Sequence, residues 1–114
     1  SIIVTSSVQS ADPSPGLVDY AMTKSAQRAF VEAMAAELGP RGIRVNAARR
    51  ADLDAAHPAT GFPDEKVQQF GQDTPFGRAG QPSELAGAYV YLASDEASYT
   101  SAAVIGVTGG RSVP

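Results

Sequence analysis

A β-branched run, a helix-length stretch and a second β-like run limit what the start of this chain can fold into. Residues 1–5 are largely β-branched and stop at a pair of serines, as in a buried parallel strand. Apolar residues recur every three or four positions over residues 21–38, which predicts a helix that Pro40 and Gly42 end. A second β-like run follows at residues 43–47. Strands joined by such a crossover pair in parallel, so the pattern predicts an α/β fold.

The rest of the chain alternates between weak and clear patterns. Residues 48–80 are interrupted by proline and glycine, with one short helix predicted at residues 64–70. Pro82 suits a first helical position and Glu84 a first turn, so a helix is predicted over residues 82–93. A third strand is predicted at residues 103–107. We therefore expect about three parallel strands with crossover helices.

Composition excludes several classes of function. The 114 residues suit one small domain. The net charge is -3 and the basic residues form no stripe along the sequence, so we expect no nucleic-acid partner. Cysteine is absent and His57 is the only histidine, so no metal site is predicted. No apolar run approaches the roughly 20 residues that span a bilayer, and no signal segment is recognisable. We expect a cytoplasmic protein with no membrane partner.

Three polar side chains near the first strand and helix can carry chemistry. Tyr20 and Lys24 are four residues apart and share a helix face, while Ser7 follows the first strand, at the edge where open α/β sheets bind ligands. A phenol, with a reference pKa of about 10, is a poor acid or base at neutral pH, but a cation within about 4–6 Å favours the phenolate. A neighbouring hydroxyl can hold a carbonyl or alcohol oxygen. We therefore predict that the three side chains share one cleft.

A tyrosine and a lysine at this spacing also occur by chance on many helices, so the pair gains meaning only from its surroundings. The serine, tyrosine and lysine are accompanied, in order, by recognisable strings at residues 42–47, 77–86, 91–99 and 107–110. Together these strings resemble successive signatures of the short-chain dehydrogenase/reductase family. The resemblance covers nearly all of the chain.

The resemblance implies the C-terminal part of a Rossmann-type doubly wound parallel sheet, with residues 1–114 as one incomplete domain. It implies hydride transfer between NAD or NADP and a small-molecule carbonyl or alcohol substrate. Tyr20 resembles the family's general acid/base, Lys24 its partner that also contacts the nicotinamide ribose, and Ser7 the hydroxyl that holds the substrate oxygen. Tyr20 and Lys24 are the implied cofactor-binding residues. The full-length form is implied to be a homo-oligomer. Within the matching strings, we expect Asn46, Gly42, Gly109 and Gly110 to be turn, strand and packing positions and not to take part in the chemistry.

Two departures from the family pattern affect the expected activity. The chain contains no Gly-rich strand-to-helix turn to hold the cofactor diphosphate, so we expect the isolated chain to be inactive. Residues 48–57 also lack the family's Pro-Gly turn and the threonine that reaches the nicotinamide amide. A shift of reading frame, restored by Pro58, is a hypothesis that would explain this segment. The alternative function is a catalytically dead remnant that acts as an oligomerisation module.

Overall fold

The computed structural model describes residues 1–51, 65, 68, 69 and 71–112. Along them the chain forms β1 (Ile2–Ser7), α1 (Val18–Leu38), β2 (Val45–Arg50), α2 (Pro82–Ala93) and β3 (Val104–Val107). Short 3₁₀ turns lie at Val8–Ser10, Pro15–Leu17, Gly39–Arg41 and Asp95–Ala97. The strands form one parallel sheet in the order β1-β2-β3. The predicted α/β fold with a small parallel sheet is confirmed.

The core under α1 fixes the position of that helix on the sheet. Val31 and Ala35 of α1 pack against Val45 and Ala47 of β2, with Val4 of β1 beside them. Val31 and Val45 are fully buried, and burying a valine side chain contributes about 1.5–3 kcal/mol. These contacts hold the axis of α1 across β1 and β2.

The ends of α1 follow from local chemistry at each terminus. The helix begins at Val18, earlier than the predicted residue 21, because the turn Pro15–Leu17 leads directly into it. It ends at Leu38, as predicted, and Gly42 then adopts a left-handed conformation with φ 72°. Glycine takes this conformation without the steric cost that a Cβ imposes. The chain can therefore reverse and enter β2.

The second helix covers the opposite face of the sheet. Leu92 of α2 is fully buried, and Tyr89 is hydrogen-bonded to the Thr5 hydroxyl of β1. Because successive side chains of a strand point to opposite faces, Thr5 faces away from Val4 and the α1 core. The helix has the predicted bounds, and the Glu84 carboxylate accepts a hydrogen bond of 2.8 Å from the Gln81 N–H at its start.

The strand ends differ from the sequence prediction in ways that matter for the site. β1 continues beyond Thr5 to Ser7, and β3 begins at Val104, not at residue 103. β2 begins at Val45, not at residue 43, and runs through Arg50 although the pattern was expected to weaken from residue 48. The prediction was wrong there because β2 is the central strand, and its ladders to both neighbours extend to Arg50. The helix predicted at residues 64–70 and His57 lie largely or wholly outside the described residues.

A buried asparagine joins β2 to the segment that leads into β3. Asn46 is fully buried, and its Nδ2 donates to the Thr100 carbonyl at 2.9 Å while its Oδ1 accepts from the Ala103 N–H at 3.0 Å. The side chain thus satisfies two backbone groups of one loop. This geometry supports a packing role for Asn46.

We expect Asn46→Leu to destabilise the protein by about 2–4 kcal/mol, because it leaves the partly buried Thr100 carbonyl and Ala103 N–H without their partner. Urea unfolding followed by circular dichroism would measure the loss. Gln72→Leu, at an exposed position, is the control for the added apolar side chain. A loss for Asn46→Leu no larger than that of the control would contradict the packing role of Asn46.

Candidate active site at the carboxyl edge of the sheet

Ser7 is the last residue of β1 and is held by the turn that follows it. Its side chain is buried at 5% exposure, and its Oγ accepts a hydrogen bond of 3.2 Å from the Gln9 N–H at the start of Val8–Ser10. The Ser10 hydroxyl donates to the Ser7 carbonyl at 2.7 Å. A hydroxyl that accepts a bond keeps its own hydrogen to donate. Ser7 can therefore donate to a further oxygen at this edge.

Tyr20 and Lys24 lie on the first turns of α1, above the end of β1. The Lys24 Nζ is 5.6 Å from the centroid of the Tyr20 ring and donates a hydrogen bond of 2.9 Å to the Thr5 carbonyl. Both side chains are half-buried. The helix spacing therefore brings the ammonium beside the phenol as predicted, and the bond to Thr5 ties the lysine to the strand that carries Ser7.

Arg50 is a member of this cluster that sequence reasoning missed. It is the last residue of β2, its Cα is the register partner of Ser7, and its Nη2 donates to the Tyr20 Oη at 3.4 Å. The prediction treated this segment as irregular and gave Arg50 no role. The signal that would find it is the strand register, since a residue paired with Ser7 must lie at the same edge of the sheet.

The four residues lie at one edge of the sheet, but within the described residues their side chains form no closed network of hydrogen bonds. Among the described residues, no hydrogen bond joins the Ser7 hydroxyl to Tyr20 or Lys24. The link runs instead through the paired backbones of Ser7 and Arg50 and the Arg50 contact with the phenol. Adjacent strands are about 4.8 Å apart, so the backbones of Ser7 and Arg50 lie side by side where the two strands end.

A shallow cavity of about 80 Å³ opens beside the carboxyl end of β3. Its polar wall is the Arg78–Glu84 ion pair, with N–O distances of 2.8 Å. The hydrogen bond from Arg78 lowers the pKa of the Glu84 carboxyl to about 2, so the pair is charged near neutral pH. Ser7, Tyr20 and Lys24 do not line this cavity, and small-molecule sites usually occupy about 300–1,000 Å³. The cavity is therefore not the candidate active site.

Within residues 1–51, 71–112 and the few described between them, no three His, Cys, Asp or Glu side chains are grouped so as to hold a metal ion. In the same part of the chain, no helix is both long and apolar enough to cross a membrane.

A helix on each face of a parallel sheet, with polar side chains at the strand ends, defines an α/β protein of the kind that binds ligands at this edge. Residues 1–112 match a family model described as enoyl-(acyl carrier protein) reductase. The uncharacterized oxidoreductase YghA of Escherichia coli (strain K12) is 50% identical over 112 residues, which are 97% of this chain and 38% of that protein. The chain belongs to the short-chain dehydrogenase/reductase family of oxidoreductases.

Solved structures give the same result for the fold. The angucycline C-6 ketoreductase LanV with bound NADP has a TM-score of 0.84 and 29% identity, with 96% of this chain and 42% of that chain covered. A 3-oxoacyl-[acyl-carrier protein] reductase with bound NAD from Brucella melitensis has a TM-score of 0.80 and 40% identity, with 96% and 39% covered. This chain thus spans about two fifths of the length of these relatives.

Proposed function

We propose that this chain is the acid/base part of an NAD- or NADP-dependent oxidoreductase that interconverts a carbonyl and an alcohol. The observation that carries the proposal is the position of Tyr20. Its ring lies beside the Lys24 ammonium, which is hydrogen-bonded to β1, and its hydroxyl accepts a hydrogen bond from Arg50, the register partner of Ser7. A phenol beside a fixed cation, with a hydroxyl donor nearby, suits proton exchange with a substrate oxygen.

The three residues have separate roles in the proposed mechanism. In the reducing direction Tyr20 gives its proton to the carbonyl oxygen as hydride reaches the carbonyl carbon, and in the oxidising direction it takes the proton back. Ser7 donates a hydrogen bond to the same oxygen and stabilises the negative charge that develops there. Lys24 favours the phenolate that remains after the proton has left.

The chain's own residues fit one end of a nicotinamide cofactor, which when bound supplies or accepts the hydride. The Lys24 ammonium uses an N–H on the Thr5 carbonyl and retains others, which can donate to ribose hydroxyls. The sequence provides no Gly-rich turn for the diphosphate. LanV was solved with NADP and the Brucella melitensis reductase with NAD, which supports a nicotinamide cofactor without choosing between the two.

A chimera that joins this chain to the part of E. coli YghA that the chain does not cover would test the proposal. The oxidation of the reduced nicotinamide cofactor is followed with a panel of ketones and aldehydes as substrates. We expect turnover by this chimera, and a loss of about 10²- to 10⁴-fold for Tyr20→Phe, because the variant lacks the proton-transferring oxygen. Cofactor binding, measured by calorimetry, should remain. Full activity of Tyr20→Phe would refute the acid/base role.

Lys24→Met in the same chimera is the paired variant. It removes the cation beside Tyr20 and the donor to the ribose, so both turnover and cofactor affinity should fall. Unchanged cofactor affinity would assign Lys24 to the phenol alone. The two variants together separate proton transfer from cofactor binding.

A second candidate function, association with another copy of the chain, is favoured by one observation. Val18, Met22 and Phe30 lie on one side of α1 at four- and eight-residue spacings and are exposed by 59%, 67% and 46%. Exposed apolar patches often mark protein interfaces. A catalytically inactive chain would retain this surface, so the surface supports an oligomerisation module as well as an oligomeric enzyme.

We expect the chain to sediment as an oligomer and Met22→Lys to shift it to monomer, because a charge placed in a closed apolar interface is costly. Gln72→Lys, at another exposed position, is the control and should leave the oligomer intact. Sedimentation velocity measures all three. A monomeric parent chain would contradict this second candidate.

A further inference from the structure

Arg50 is placed at the reacting end of the proposed site. Its guanidinium Nη2 is 3.4 Å from the Tyr20 Oη, the atom proposed to exchange the proton. The backbone of Arg50 is paired with that of Ser7, the proposed donor to the substrate oxygen. A substrate oxygen that contacts both hydroxyls would therefore place the neighbouring substrate atoms beside the guanidinium.

Two cationic side chains lie close to Tyr20. Lys24 lies beside the ring and Arg50 contacts the hydroxyl. Within the part of the chain that the structure describes, neither cation forms an ion pair with a carboxylate. The hydrogen bond from Arg50 to the Tyr20 hydroxyl is 3.4 Å long, which exceeds the range of about 2.7–3.2 Å that is usual for N–H donors. Arg50 is also half-buried, which strengthens its attraction for an anion relative to a fully solvated arginine.

The chemistry of a guanidinium indicates which ligand such a site binds. Arginine presents parallel N–H groups that match the two oxygens of a carboxylate, whereas a neutral amide offers a single acceptor oxygen. We propose that Arg50 determines specificity by binding a carboxylate carried close to the reacting carbonyl, so that the substrate is an oxo acid. This inference rests on the proposed function for the identity of the reacting oxygen, and it adds the substrate class.

The test is a binding titration of the whole chain, followed by NMR of ¹⁵N-labelled arginine side chains. Acetoacetate is the probe, and acetoacetamide, which replaces only the carboxylate, is the matched neutral compound. We expect acetoacetate to bind at least about 10-fold more tightly than acetoacetamide, the size of one charge-assisted hydrogen bond or more. Arg50→Gln should remove this preference, and Arg50→Lys should retain part of it.

Arg41→Gln is the control, since Arg41 is exposed and lies before β2, at the opposite end of that strand. Equal binding of the two probes, no saturable binding of acetoacetate, or a preference that survives Arg50→Gln would overturn the proposal. The binding of nicotinamide mononucleotide to the parent chain and to Arg50→Gln is measured as well. If Arg50→Gln weakens its binding and not that of acetoacetate, Arg50 serves a cofactor phosphate and the proposal is wrong. None of these outcomes depends on turnover, so they are distinct from a failure of the Tyr20→Phe test.

Discussion

The packing of α1 across β1 and β2 is the constraint on which the rest of the candidate site depends. Val31 and Ala35 of the helix are seated on Val45 and Ala47 of the central strand, and the sheet cannot shift beneath them without opening a cavity. The start of α1 therefore lies over the strand ends. Tyr20 and Lys24 occupy that start, so the same contacts that stabilise the fold position the proposed reacting groups.

The electrostatic character of the site follows from two cations that reach it by different routes. Lys24 is placed beside Tyr20 by the spacing of the two residues on α1, and its ammonium donates a hydrogen bond to the Thr5 carbonyl. Arg50 is placed there by the parallel register of β2 with β1. Their charges converge on one phenol. Such a site can stabilise negative charge that develops on a bound oxygen, as carbonyl reduction and alcohol oxidation both require.

The sequence was a good guide wherever local chemistry sets the structure. The start of α2 follows from Pro82 and Glu84, and the end of α1 follows from Pro40 and Gly42. The end of β2 could not be predicted in this way, because Arg50 belongs to the strand only through ladders to residues distant in the chain. Its contact with Tyr20 was missed for the same reason. The roles of Ser7, Tyr20 and Lys24 came from a resemblance and stay proposals, although the structure brings their backbones to one edge.

The proposed site depends on the Tyr20 and Ser7 hydroxyls forming hydrogen bonds to one substrate oxygen at the carboxyl edge of this sheet. A crystal structure of the YghA chimera with a nicotinamide cofactor and an alcohol product would test it most directly. We predict that the product oxygen lies within hydrogen-bond distance of both the Tyr20 Oη and the Ser7 Oγ, with the Lys24 ammonium at the ribose. A product held elsewhere, or a Tyr20 hydroxyl directed away from its oxygen, would contradict the account.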